Sequence, residues 1–145
     1  MTKKDIIEKI RKAKLGHKRW ISYAKAIHMG IELDEGAVPV LETDCSFGKW
    51  YYGEGQALSE LDSFTSIEKP HTTLHDIYMQ LFKAREKPVK RGLFTSAKKA
   101  EREKQEAIEM LMNRLIQVSE VLLDNLKTLE LDLKAMSDSE FLKLV

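Results

Sequence analysis

The chain has few of the residues that mark disulfide-rich or membrane-spanning proteins. It has one cysteine and three prolines among 145 residues, and a single cysteine excludes an internal disulfide. No uncharged apolar run approaches the ~20 residues that cross a bilayer, and no apolar stretch follows the basic residues at the start of the chain. These absences predict a cytoplasmic protein without membrane insertion.

Charge is plentiful, but it is divided among segments. The net charge is +1, yet residues 1–25 and 83–104 are basic while residues 31–68 and 105–145 are acidic. No basic stripe is interleaved with stacking aromatics, so we do not expect nucleic-acid binding. We expect oppositely charged helices to neutralise one another, or the charges to form solvated faces. Length and composition predict a single domain over residues 1–145.

The spacing of apolar residues predicts an all-α fold, an antiparallel four-helix-bundle-like domain with one or two short extra helices. The first helix carries an inward-facing seam at three- and four-residue steps: Ile6, Ile10, Ala13, His17, Trp20, Ala24, Ile27 and Ile31. The last long helix begins at Ala97, and its stripe is Ile108, Met112, Leu115, Ser119, Leu122, Leu126, Leu129 and Leu133. Residues 87–104 are predicted to form a basic connection and the start of this helix. Residues 138–142 are expected to add one more turn or to fray.

A short helix is predicted to begin at the cysteine. Gly36 and Pro39 predict a connection that leads into Cys45. Thr43 or Asp44 is expected to cap the helix, which would place Cys45 in its first turn. Unpaired backbone N–H groups and the helix dipole favour a thiolate there.

Two further helical segments are predicted before residue 88. A short one contains Leu58, Leu61 and Phe64. A longer one begins near Pro70, because the fixed φ of proline suits a first helical turn. His71 and His75 are four residues apart on it, so their rings face the same side.

One cysteine and three histidines can therefore meet at one metal ion. Zinc prefers four Cys or His ligands in a tetrahedron. His17 faces inward from the first helix and Cys45 opens a short one. His71 and His75 share a face of a third, so three elements can converge. Each residue also has a simpler interpretation alone: a hydrogen-bonded core histidine, a small buried hydrophobe, or a chance histidine pair. His28 lies outside the seam and is predicted to be a surface residue outside the site.

Three motifs in this order resemble the chemoreceptor zinc-binding domain family: His17-Lys-Arg-Trp20, Cys45-Ser-Phe-Gly-Lys-Trp50-Tyr-Tyr-Gly-Glu-Gly55 and Pro70-His71-Thr-Thr-Leu-His75. The resemblance implies an all-α bundle in bacterial cytoplasm that binds zinc through three His and one Cys, often as a homodimer. It also implies a signalling role, with a chemoreceptor or a cyclic-di-GMP signalling protein as the expected partner. The sequence carries no output domain that we recognise, so we expect a near stand-alone domain that passes its signal to another protein.

The ligand set favours sensing over catalysis. Four protein ligands leave no position for a substrate or an activated water, so we do not expect an enzyme. His71-Thr-Thr-Leu-His75 also lacks the glutamate that a zinc protease uses as general base. Oxidation of Cys45 would remove the softest ligand, which suits a zinc or oxidant sensor.

An alternative function is open at this point. Zinc could be a staple in a structural bundle that recruits a partner through its charged last helix. In either case we expect Trp20, Phe47 and Trp50 to pack around the ligands and exclude water.

Overall fold

The computed structural model describes residues 1–31, 45–88 and 96–145, and every regular element within these ranges is helical. The elements are α1 (Lys3–His28), α2 (Ser46–Tyr52), a 3-10 helix (Glu54–Leu58), α3 (Asp62–Thr65), α4 (Glu68–Glu86), α5 (Ala97–Ala135) and α6 (Asp138–Leu144). The predicted all-α bundle is confirmed. The predicted connection through Gly36 and Pro39, and the predicted caps Thr43 and Asp44, lie outside the described residues.

The long helix α5 contacts both α1 and α4. Lys3 near the start of α1 donates a hydrogen bond to the carbonyl of Met136, 2.8 Å away, just beyond the end of α5. Farther along α1, Arg11 reaches Glu130. The order of these contacts shows that α1 and α5 run antiparallel.

Contacts with α5 also give the direction of α4. At its start, the Asn125 amide of α5 donates to the carbonyl of Ser66 over 2.9 Å. Near its end, Ala84 lines a surface cavity together with Ala100 from the start of α5. α4 is therefore also antiparallel to α5 and parallel to α1, and this brings His17 level with His71.

The predicted stripe of α5 is buried at every position. Burying a leucine side chain stabilises a fold by roughly 1.5–3 kcal/mol, so this stripe is the main hydrophobic support of the bundle. Leu111 and Val118 pack partly buried beside it. No helix within the described ranges combines the length and the apolar character that crossing a membrane requires.

The seam of α1 is buried from Ile6 to Ala24 and half-buried at Ile27. The prediction that Ile31 continues the seam is wrong, because this residue lies beyond the helix and is 51% exposed. Gly30 has a φ of 85°, a left-handed conformation that favours glycine and ends helices.

Short helices complete the bundle between α1 and α4. The predicted short helix around Leu58 and Phe64 is divided between the 3-10 helix and α3, and both side chains are buried. α2 contacts α1, and α3 contacts α5. At the other end of the chain, residues 138–142 form a capped helix rather than fraying. Ser137 and Glu140 make a capping box, and Phe141 is buried.

One buried carboxylate links α1 to α5. Glu130 is 5% exposed and accepts hydrogen bonds from Lys134, Lys14 and Arg11. These cations lower its pKa to about 2, with Lys134 contributing most. The expected neutralisation between oppositely charged helices is therefore realised at this point.

Candidate metal centre

His17 enters the site from the seam of α1. Its side chain is buried, and its Nδ1 lies 2.7 Å from the carbonyl oxygen of Ala13, one turn earlier. A carbonyl only accepts, so Nδ1 carries the proton and Nε2 is left with a free lone pair. Burial lowers the pKa of His17 to about 4, so the ring is neutral at pH 7. Neutral imidazole is the form that binds a metal.

Cys45 enters from the start of α2. The prediction that it lies in the first turn is corrected by one position: Cys45 is itself the N-cap, and the helix begins at Ser46. Its Sγ accepts a hydrogen bond from the backbone N–H of Gly48 at 3.1 Å. This hydrogen bond fixes the position of the sulfur at the start of α2.

α4 supplies the other two histidines from one face, as predicted. His71 is 0% exposed and His75 is 3% exposed. Their ring centroids lie 4.8 Å apart with planes at 88°. Nε2 of His71 lies 3.3 Å from Sγ of Cys45, and this contact joins α4 to the start of α2.

The second ring nitrogen of His71, Nδ1, is not part of the contact with Cys45. Among the described residues this buried Nδ1 has no hydrogen-bond partner. A buried polar atom without a partner costs roughly 1–3 kcal/mol. Burial also lowers the pKa of His71 to about 3, which rules out a charged ring near neutral pH. A neutral ring can bind a cation through Nε2, the nitrogen that faces Cys45, whereas the unpartnered Nδ1 would not be the ligand atom.

The four donor groups have the spacing of a metal site. Their ligand atoms, one from each of His17, Cys45, His71 and His75, all lie within 4.8 Å of one another. In a tetrahedral zinc site the bond lengths place ligand atoms about 3.3–3.6 Å apart. The contact from Cys45 to His71 already has this length, and the others need a contraction of about 1.5 Å at most. One thiolate with three imidazoles is a donor set that zinc accepts.

Aromatic side chains pack around the four clustered residues, although not all touch them. The Trp20 ring lies 5.0 Å from that of His75. Phe47 presents its ring to His17 at 5.7 Å and to His71 at 5.2 Å. Trp50 packs on Phe47 at 5.6 Å and so supports the site through it.

Two backbone partners of the ligands were not predicted, and His28 was predicted correctly. The Ala13 carbonyl and the Gly48 N–H orient His17 and Cys45. The spacing carried a signal for both, since residues four apart on a helix and three apart at an N-cap are hydrogen-bonding neighbours. His28 is exposed near the end of α1 and is not part of the cluster.

A comparison with protein families found a match that covers the cluster. Residues 17–82 match the family model of the chemoreceptor zinc-binding domain. Residues 17–82, which are less than half of the chain, are therefore similar to this family. The match begins at His17 and extends past His75, so all four clustered residues lie within it. Comparisons with curated proteins and with solved structures found no significant match.

The matched family has a general role. Chemoreceptor zinc-binding domains are zinc-binding modules associated with chemoreceptors and signalling proteins. The match leaves out the start of α1 and all of α5. The assignment of residues 1–145 to one domain of this kind stays a prediction.

Proposed function

We propose that this domain is a regulatory module that senses zinc or oxidants and passes the signal to a partner protein. In this proposal, zinc is held by His17, Cys45, His71 and His75. The main support is the convergence of three imidazoles and one thiol in a buried cluster, inside a domain of a zinc-binding family. Ligand type and spacing together favour zinc.

We also propose that the site is not catalytic. Four protein ligands fill a tetrahedral coordination sphere, whereas catalytic zinc keeps one position for water or substrate. The burial of all four residues supports this assignment.

The cysteine is the proposed switch. A thiolate sulfur attacks one oxygen of a peroxide, the O–O bond breaks, the other oxygen leaves as hydroxide, and the sulfur becomes a sulfenic acid. Cys45 would then no longer be a soft ligand. Its contact with His71 joins α2 to α4, so its loss is expected to shift these helices and the tilt of α1 against α4.

The output is proposed to pass through a homodimer face to a chemoreceptor or a cyclic-di-GMP signalling protein in the cytoplasm. The association of the family with chemoreceptors and signalling proteins supports this choice of partner.

A purely structural zinc is the second candidate, and the depth of the site favours it. His71 and His75 are almost completely buried, which slows ligand exchange. A structural zinc would stay bound during oxidant treatment that converts Cys45 to a sulfenic acid. A sensing zinc would be released or would change its coordination.

Metal analysis of the purified protein tests the proposal. We expect about one zinc per chain, less zinc in Cys45→Ala and His75→Ala, and unchanged zinc in His28→Ala. The last variant is the matched control, because His28 is an exposed histidine outside the cluster. Peroxide should release zinc from the wild type, which a chromogenic chelator detects. A folded protein without zinc would contradict the proposal.

A further inference from the structure

A cavity of about 140 Å³ lies between α1 and the start of α2 and reaches the cluster from the surface. Three of the four clustered side chains line it, namely His17, Cys45 and His75. His71, which is fully buried, is not part of its lining. The cavity therefore meets the cluster on the side that contains the only thiol.

Gly16 lines the same cavity from α1. Glycine is a poor residue for a helix interior, and Gly16 lies near the middle of a 26-residue helix. A Cβ built at this position meets no described atom within 4 Å, so close packing does not require glycine here. Its backbone does not require glycine either, because Gly30 is the one described glycine with a positive φ. What glycine does at this position is leave the wall of the cavity bare.

We propose that this cavity is the port through which small reagents reach Cys45, and that Gly16 keeps the port open. A water molecule occupies about 30 Å³ in the liquid, so the cavity holds a few molecules of that size. A small peroxide fits, whereas a reagent many times larger does not. The port thus selects oxidants by size. Its regulatory use rests on the proposed function, but the access that it provides to Cys45 does not.

Substitution of Gly16 tests the port. Gly16→Leu places a branched side chain at the cavity wall and should slow the reaction of Cys45 with hydrogen peroxide and with iodoacetamide about tenfold, because thiol reactivity depends on access. Mass spectrometry of the protein as purified measures both rates. Zinc content should be unchanged, since Gly16 supplies no ligand.

Two controls separate access from helix stability. Gly16→Ala improves helix propensity without filling the cavity, and Ser22→Leu adds the same side chain at an exposed position of α1 that does not line the cavity. Both should react within about twofold of the wild type. A folded Gly16→Leu that reacts at the wild-type rate would overturn the port.

A measurement on the wild type covers the case in which Gly16→Leu fails to fold. The rates of iodoacetamide and of a bulky polyethylene glycol maleimide are compared on Cys45 and on glutathione. If the port exists, the ratio of the maleimide rate to the iodoacetamide rate should be much lower on Cys45 than on glutathione. Equal ratios on the two thiols would contradict the port. Because these rates need no bound zinc, they test the port even if metal analysis refutes the proposed function. Conversely, a Cys45-dependent zinc release with equal ratios would refute the port alone.

Discussion

Two polar clusters, each around a buried side chain, use adjacent turns of α1, and they differ in how their groups are paired. Around Glu130, three cations surround one carboxylate, and its pKa is lowered to about 2. Around His17, burial lowers the pKa values of neutral rings, and a nitrogen of His71 has no partner among the described residues. The first cluster contains the charges that pair with its carboxylate, whereas the second consists of nitrogen and sulfur donors of the kind that bind a metal cation. On the same helix, Lys14 thus forms an ion pair with Glu130, and His17 is a proposed metal ligand.

The largest expected effect is the dependence of folding stability on zinc at the histidine cluster. Zinc that binds only the folded chain stabilises it by about 4 kcal/mol when free zinc is a thousand times Kd. Chelation should therefore lower the free energy of unfolding by about this amount, measured by urea denaturation with and without chelator. His28→Ala should keep this dependence and His75→Ala should lose it. Equal stability with and without zinc would contradict the account.

The Glu130 cluster should respond to mutation and not to metal. Glu130→Gln leaves the three cations without their carboxylate and should lower the free energy of unfolding by about 3 kcal/mol. Glu120→Gln, at an exposed position of the same helix, should change it by less than about 0.5 kcal/mol. Zinc content should be normal in both. Loss of zinc in Glu130→Gln would show that the two clusters are coupled.

The contribution of Glu130 to stability should depend on pH. The pKa of Glu130 is lowered in the folded state from 4.5 to about 2, so its stabilisation is present above pH 4.5 and is lost as the pH falls toward 2. The difference in unfolding free energy between the wild type and Glu130→Gln should shrink by about 2 kcal/mol across this range. Denaturation at several pH values measures it. A difference that is constant with pH would exclude a lowered pKa.

The smallest expected effect comes from the aromatic ring of Phe47. Phe47→Leu removes the edge contacts to the rings of His17 and His71, and should cost about 1 kcal/mol of stability. Zinc affinity should fall about tenfold, because the ligands lose their orientation. Tyr52→Leu is the control, since Tyr52 is 40% exposed. Competition with a chromogenic chelator gives the affinities, and an unchanged affinity in Phe47→Leu would remove the orienting role.

Periodicity predicted the long helices well. The stripe from Ile108 to Leu133 was correct at each position because a heptad-like pattern over a 39-residue helix leaves one face to bury. It failed at Ile31, because one glycine in a left-handed conformation ended α1 before the pattern did.

The proximity of His17, His71 and His75 could be predicted because each occupies a position that the helical pattern turns inward. The exact place of Cys45 could not, since an N-cap depends on a backbone φ and ψ of −71° and 145° that periodicity does not contain. The burial of Glu130 was not predicted either. Charged residues are expected on the surface, and only the cations at Arg11 and Lys14 gave a signal that one acid was paired.

X-ray absorption at the zinc edge of the purified protein tests the central claim most directly. The account predicts one sulfur at ~2.3 Å and three nitrogens at ~2.0–2.1 Å, with the sulfur lost in Cys45→Ala. A zinc coordinated without sulfur in the wild type, or a spectrum unchanged by Cys45→Ala, would contradict it.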